Sequence, residues 1–217
     1  MTAYIGVYLH GFLSSGNSKK GRWLKQQVDS LLQQNQSPAF AEIVTPTYSI
    51  KTPLLSVRNI DDVVTTSIQK AYENDCSVIL LGSSMGGYYA QYFGHKYDLP
   101  YIMINPALNP EAIFYKNLGQ HVNPATAEEF VIDEFYIESL LSYSTRQVNY
   151  EIPALLLIDK DDEVIDINFA LDCFPLSLNS NKTKHKTVVY SGGDHSFVHM
   201  PQAWQQIQQF VGGLDEQ

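Results

Sequence analysis

Six short runs of nearly uninterrupted apolar residues, set between segments with a helical period, constrain this chain more than any other feature. The runs are Tyr4–Leu9, Ile43–Thr45, Val78–Leu81, Tyr101–Ile104, Ala154–Ile158 and Thr187–Tyr190. Most do not alternate apolar with polar residues, as a strand with one wet face would. They suit strands covered on both faces, as in a parallel sheet. Between them, Leu24, Val28 and Leu31 recur at spacings of four and three, as do Val57, Ile60, Val64, Ile68 and Ala71. Met85 to Lys96 reads as a helix rich in aromatics, and a last helix carries Trp204, Ile207 and Val211 with Pro201 near its first turn. Parallel strands need crossovers, and helices supply them. The pattern predicts an α/β fold with a mostly parallel, doubly wound sheet of about six strands.

At 217 residues with 44% hydrophobic content, a single domain spanning 1–217 can bury its own core. No repeat or Pro/Ser/Gly linker divides it. Fourteen Lys+Arg against 23 Asp+Glu give a net charge of −9. That field repels a phosphate backbone and an anionic bilayer, so we expect no nucleic-acid partner and no stable membrane association. Cys76 and Cys173 have neither the number nor the spacing of a disulfide framework or a metal site, and no cofactor is expected. The first ten residues lack a basic segment followed by a long apolar one, and no stretch is long enough to span a bilayer. A cytoplasmic location is the default expectation. Oligomeric state is not legible.

One interval breaks the rhythm. Almost fifty residues separate Ile104 from Ala154. Thr126 and Glu129 form a T-x-x-E capping box, which suggests a helix start there. The local structure of the following Phe-Val-Ile-Asp-Glu-Phe-Tyr-Ile stays open. We read 106–151 as a cap-like insertion at the edge where open α/β sheets place their ligands. The alternative is an elaborated crossover that only packs the core.

The strongest chemical signal is Gly82-Ser-Ser-Met-Gly-Gly87, which follows an apolar run and precedes a helix. In that context G-x-S-x-G is a nucleophile elbow. The turn is tight enough to force its central residue into a strained conformation, and Gly82 and Gly86 remove side chains that would collide. Ser84 is thereby presented at a helix N-terminus. The plainer reading is a small-residue turn without chemical use. A serine needs a base, and in this arrangement the order is Ser, acid, His. His195, in Gly192-Gly-Asp-His-Ser-Phe197 beyond the last apolar run, stands where that base should be. His199 reads as a surface residue, and His185 as part of a solvated loop over 181–186. The acid should follow Ala154–Ile158, where Asp159, Asp161, Asp162 and Glu163 are all in reach. We select Asp162, because an acid two residues before Val164 lets the chain turn and bury that valine; Asp161 and Glu163 remain alternatives. It would accept from the imidazole Nδ1–H and stabilise the imidazolium. The oxyanion donors should be the N–H groups of Met85 and Phe12, with Gly11 permitting close approach. His10 reads as a structural histidine. Ser18-Lys-Lys-Gly-Arg22 is either a solvated helix end or a cationic cluster (Lys19, Lys20, Arg22) that draws an anionic substrate.

Taken together, Leu9-His-Gly-Phe12 with Ser14-Ser15, Gly82-Ser-Ser-Met-Gly-Gly-Tyr-Tyr-Ala90, Ile104-Asn-Pro-Ala107, Asp162-Glu-Val164 and Gly192-Gly-Asp-His-Ser-Phe197 resemble the α/β-hydrolases, and among them the small bacterial YqiA-type esterases. The resemblance spans nearly the whole chain. It implies a compact α/β-hydrolase sheet, serine esterase activity on small-molecule acyl esters or acyl-thioesters, and Ser84, Asp162 and His195 as the triad. Asp161 stands where the family usually has Gly, and Asp194 where Asn is common. From the residues, three readings follow: an ester hydrolase working through an acyl-enzyme; a thioesterase or small-amide hydrolase with the same triad; and a non-catalytic binding protein of the same fold. The substrate-binding residues stay unknown, although Phe114, Tyr115, Phe130, Phe135 and Tyr136 are candidate apolar walls.

Overall fold

The computed structural model describes residues 2–34, 36, 39–144, 147–178 and 184–214. Its core is a six-stranded parallel sheet built from β1 (Tyr4–Leu9), β2 (Phe40–Val44), β3 (Ser77–Ser83), β4 (Tyr101–Ile104), β7 (Ala154–Asp159) and β8 (His185–Tyr190), in the order β2-β1-β3-β4-β7-β8. All five pairings are parallel. The crossovers carry α1 (Lys19–Gln33), α2 (Pro53–Glu73), α3 (Met85–Tyr97) and α6 (Ile167–Cys173), and α7 (Met200–Gly212) follows the last strand.

Successive side chains of a strand leave by opposite faces, and here both faces are covered. Tyr4, Tyr8, Ile79, Leu81, Ile102, Ile104, Leu155 and Leu157 pack with Leu24 and Val28 of α1 and Ala203 and Ile207 of α7. Ile5, Val7, Leu9, Val78, Leu80, Met103, Leu156 and Ile158 pack on the other side with Val57, Ile60 and Val64 of α2 and Tyr88 and Phe93 of α3. This two-sided burial is why the runs are continuously apolar. Each fully buried Leu or Val contributes about 1.5–3 kcal/mol.

The interval between β4 and β7 holds α4 (Glu111–Tyr115), a hairpin of β5 (Gly119–Val122) and β6 (Glu129–Ile132), and α5 (Glu134–Leu141). The helix start expected at Thr126 is absent: Thr126 lies in the hairpin turn and Glu129 opens β6. Asn123 wins the competition for this segment. It is fully buried, its side-chain oxygen accepts from the Ala125 N–H, and its amide donates to the Ser14 carbonyl (3.0 Å). Ala127, which would be the first helical residue after a Thr126 cap, then takes φ 60°, outside the right-handed helical region. The helix begins instead at Asp133, whose carboxylate caps the Tyr136 N–H.

His185 is a second correction. It belongs to β8, is 3% exposed, stacks on Phe174 and lies 2.8 Å from the Ile152 carbonyl through Nε2. Residues 181–183 of that run lie outside the described residues.

Candidate active site

Because the strands are parallel, the loops after β1, β3, β7 and β8 all open on one edge of the sheet. The chain leaves β1 toward β2 on one side and β3 lies on the other, which makes this the switch point where such folds form crevices. Ser84 follows β3 here as the N-cap of α3, with φ 55° and ψ −122°. A non-glycine residue in that region costs of order 1–3 kcal/mol. The surroundings enforce it. A Cβ on Gly82 would lie 2.0 Å from the Gly86 carbonyl oxygen, and one on Gly86 would lie 2.0 Å from that of Leu9. The backbone therefore passes closer to β1 than any side chain allows.

His195 stands across from it. Its Nδ1 is 2.8 Å from Asp162 Oδ2 and its Nε2 is 3.1 Å from Ser84 Oγ. With the Nδ1–H directed at the carboxylate, Nε2 is left to accept from the serine hydroxyl. Asp162 has a fully buried side chain. Burial alone would raise its pKa, but donation from His195 and from the Val164 and Ile165 N–H groups outweighs that and holds the carboxyl below its usual range. Those two backbone bonds correct the sequence argument. The residue tucked under the turn is Ile165, 7% exposed, whereas Val164 is 42% exposed. The other acids have different places: Asp161 is exposed, Glu163 accepts from the His195 backbone N–H at 3.1 Å, and Asp159 faces His199.

Gly11 comes against the serine from β1. A Cβ there would lie 3.3 Å from Ser84 Cβ, which brings the Gly11–Phe12 peptide alongside Ser84. Phe12 is held by edge-on contacts with Phe114 and Phe130. Met85, the next residue after Ser84, opens α3. First-turn N–H groups have no intrahelical acceptor, so the Met85 N–H is available. His10 is fully buried, stacked on Tyr48 at 3.9 Å, and donates from Nδ1 to the Gly11 carbonyl. Desolvation pushes its pKa down to about 4, so it is a neutral strut of the β1 loop.

Three residues hold the His195 loop, a part that the sequence analysis assigned to none of them. Asp159, fully buried, accepts from the Val198 N–H (2.9 Å) and from His199 Nδ1 (2.7 Å). His199, read from the sequence as a surface residue, is thus tied to a buried carboxylate and stacked on Tyr190. Asn105 donates to the Asp194 carbonyl and accepts from the Asp159 N–H. Lys20 donates to the Ser196 carbonyl at 2.9 Å. Of the basic cluster, Arg22 is turned onto the Asn17 carbonyl and Lys19 is exposed. Asn105 has a signal in Ile-Asn-Pro after a strand; Lys20, 176 positions from its partner, has none.

A cavity of about 10 Å³, room for one water, lies beside the site and is lined by Gly11, Phe12, Tyr48, Met85, Phe114 and Tyr136 among others. Of the candidate walls, Phe114, Phe130 and Tyr136 are buried, whereas Tyr115 and Phe135 are 50% and 76% exposed. A groove of about 830 Å³ runs along the outside of the hairpin and α5, touching Tyr136 but none of Ser84, Asp162 and His195.

Among the solved structures with the same architecture are esterases and other hydrolases. Est1E from Butyrivibrio proteoclasticus, solved with ferulic acid, superposes with a TM-score of 0.70 at 13% identity, over 100% of this chain and 91% of that one. An acetyl ester-xyloside bifunctional hydrolase from Caldicellulosiruptor lactoaceticus gives 0.68 at 12%, over 99% and 84%. An esterase from Pyrococcus furiosus gives 0.63 at 14%, over 97% and 83%. The fold is that of the α/β-hydrolases. Residues 5–212 match the family described as Uncharacterised protein family (UPF0227), and the chain belongs to that family.

Proposed function

We propose that the protein is a serine hydrolase that cleaves carboxylic acyl esters through an acyl-enzyme. The observation that carries this is the continuous contact from Asp162 through His195 to Ser84, 2.8 Å and 3.1 Å long. Ser84 Oγ attacks the ester carbonyl as its proton passes to His195 Nε2. The imidazolium is stabilised by the Asp162 carboxylate, which stays ionised. The Phe12 and Met85 N–H groups receive the oxyanion of the tetrahedral intermediate; one such donor accounts for about 10²–10³ in kcat. His195 then gives its proton to the leaving alcohol, and water repeats the sequence on the acyl-enzyme. All steps are proton transfer and acyl transfer by groups of this chain.

The segment 106–151 acts in this reading as a cap-like part of a single domain. Phe114 and Phe130 support Phe12 from it, so it bears on the oxyanion loop. The likeness in fold to esterases supports an ester as substrate.

Labelling with a fluorophosphonate tests the reading. Covalent capture by the wild-type protein and loss of capture in Ser84→Ala are expected. Folded wild-type protein that takes up no label points to a binding protein instead. Esters, acyl-thioesters and small amides run side by side then rank the leaving groups, with esters fastest.

A further inference from the structure

The loop that carries His195 is bonded from three directions. Asp159 and Glu163 come from the end of β7, Asn105 from the end of β4, and Lys20 from the first turn of α1. Lys20 differs from the others in kind: it is the cation of the set, and it donates to the Ser196 carbonyl at 2.9 Å. Asp162 and Glu163 bond His195, and Asp159, Asp162 and Asp194 act on the Lys20 charge. Desolvation lowers the ammonium's pKa and the three carboxylates raise it, with desolvation the larger effect. A lysine drawn out of water toward a carboxylate cluster, on a helix N-terminus whose dipole opposes it, sits against its local preference. A solvated helix end would leave it pointing outward, as Lys19 does.

We infer that Lys20 is a positioning residue for His195, fixing the Ser196 carbonyl from the first turn of α1. This rests on the triad reading above. Ser196 is the residue after His195, so anchoring its carbonyl fixes the 196–197 peptide, one residue beyond the ring that faces Ser84. With the Glu163 carboxylate holding the His195 N–H and Asn105 the Asp194 carbonyl, the backbone is then held on both sides of the ring.

Lys20→Met removes the donor and the charge, and Lys20→Arg retains both. Hydrolysis of a neutral ester, such as p-nitrophenyl acetate, is measured for both and for wild type. In Lys20→Met, kcat should fall about tenfold with KM changed less than twofold. Lys20→Arg should recover most of the loss. If Lys20→Met does not fold, Lys20→Gln, which loses the charge and keeps a shorter donor, should still show a lowered kcat at unchanged KM. An unchanged kcat in folded Lys20→Met or Lys20→Gln protein, a change confined to KM, or no recovery in Lys20→Arg overturns the inference. The parent reading is judged independently by fluorophosphonate capture of the wild type: capture with an unchanged kcat removes only Lys20, whereas no capture and no hydrolysis removes both.

Discussion

Two aspartate–histidine pairs, Asp162–His195 and Asp159–His199, leave the same two loops within a few residues of each other, yet they face different surroundings. Their lengths are nearly equal, 2.8 and 2.7 Å, both carboxylates are fully buried, and both rings are about a quarter exposed. What separates them is the far side of the imidazole. His195 meets Ser84 Oγ at 3.1 Å, whereas His199 lies flat on Tyr190 and N-caps α7. The carboxylates differ as well. Asp162 accepts from the N–H groups that turn its own loop, and Asp159 accepts from Val198 and Asp194 on the opposite loop. One pair is aimed outward at the Ser84 hydroxyl and the other fastens the support beneath it. An Asp–His contact therefore says nothing about chemistry until the third partner is known.

The comparison can be broken most severely at the outward pair. Ser84→Ala or His195→Ala should lower kcat on any ester by about 10⁴ or more without loss of thermal stability, and a residual rate within tenfold of wild type ends the triad reading. Asp162→Asn, which holds the wrong imidazole tautomer, should cost about 10³–10⁴ in kcat. At the inner pair the effect moves to stability. Asp159→Asn leaves His199 and two backbone donors poorly paired and should lower the unfolding free energy by about 2–4 kcal/mol in urea titration, with kcat reduced only about tenfold through a looser His195 loop. Gly193→Ala should behave likewise, because a Cβ there would meet Asp159 Oδ2 at 2.1 Å and the residue has φ 86°. If Asp159→Asn instead matches Asp162→Asn in kcat at unchanged stability, the division of roles is wrong.

A smaller effect sharpens the role of His10, the buried histidine of the β1 loop. His10 has a folded pKa near 4 against 6.5 when unfolded, so the unfolded chain binds the extra proton between those values. Its contribution is complete above pH 6.5 and is lost as pH falls, about 2 kcal/mol by pH 5 and about 3 by pH 4. Urea titrations at pH 7.5 and 5 should show this loss in wild type, and His10→Gln should remove most of the difference. Asp162, held below the usual carboxylate range, contributes in a lower window: its share is present above its unfolded value and disappears only in stronger acid.

The strands were legible because two-sided burial writes itself into sequence as unbroken apolar runs, and the elbow was legible because Gly82 and Gly86 meet a backbone constraint within five residues. Ser84, Asp162 and His195 stand together as the loop order predicts. Illegible were the features whose cause lies far along the chain. Thr126 and Glu129 satisfy a helix-start rule, but Asn123 is pulled to Ser14 and turns the segment into a hairpin. His199 looks like surface until β7 places Asp159 beneath it, and His185 looks solvated until β8 carries it under Phe174.

By itself, then, the order of residues determined the layered α/β architecture, the strained serine after β3 and the types of group that meet it, because burial period and turn sterics act over a few neighbouring positions. Only the tertiary structure decided which of four nearby acids faces which histidine, that Ile165 rather than Val164 is covered, and that Lys20 closes on Ser196. Those outcomes depend on where separate loops converge at one edge of the sheet, and a distance of about 3 Å between groups a hundred residues apart has no local signature.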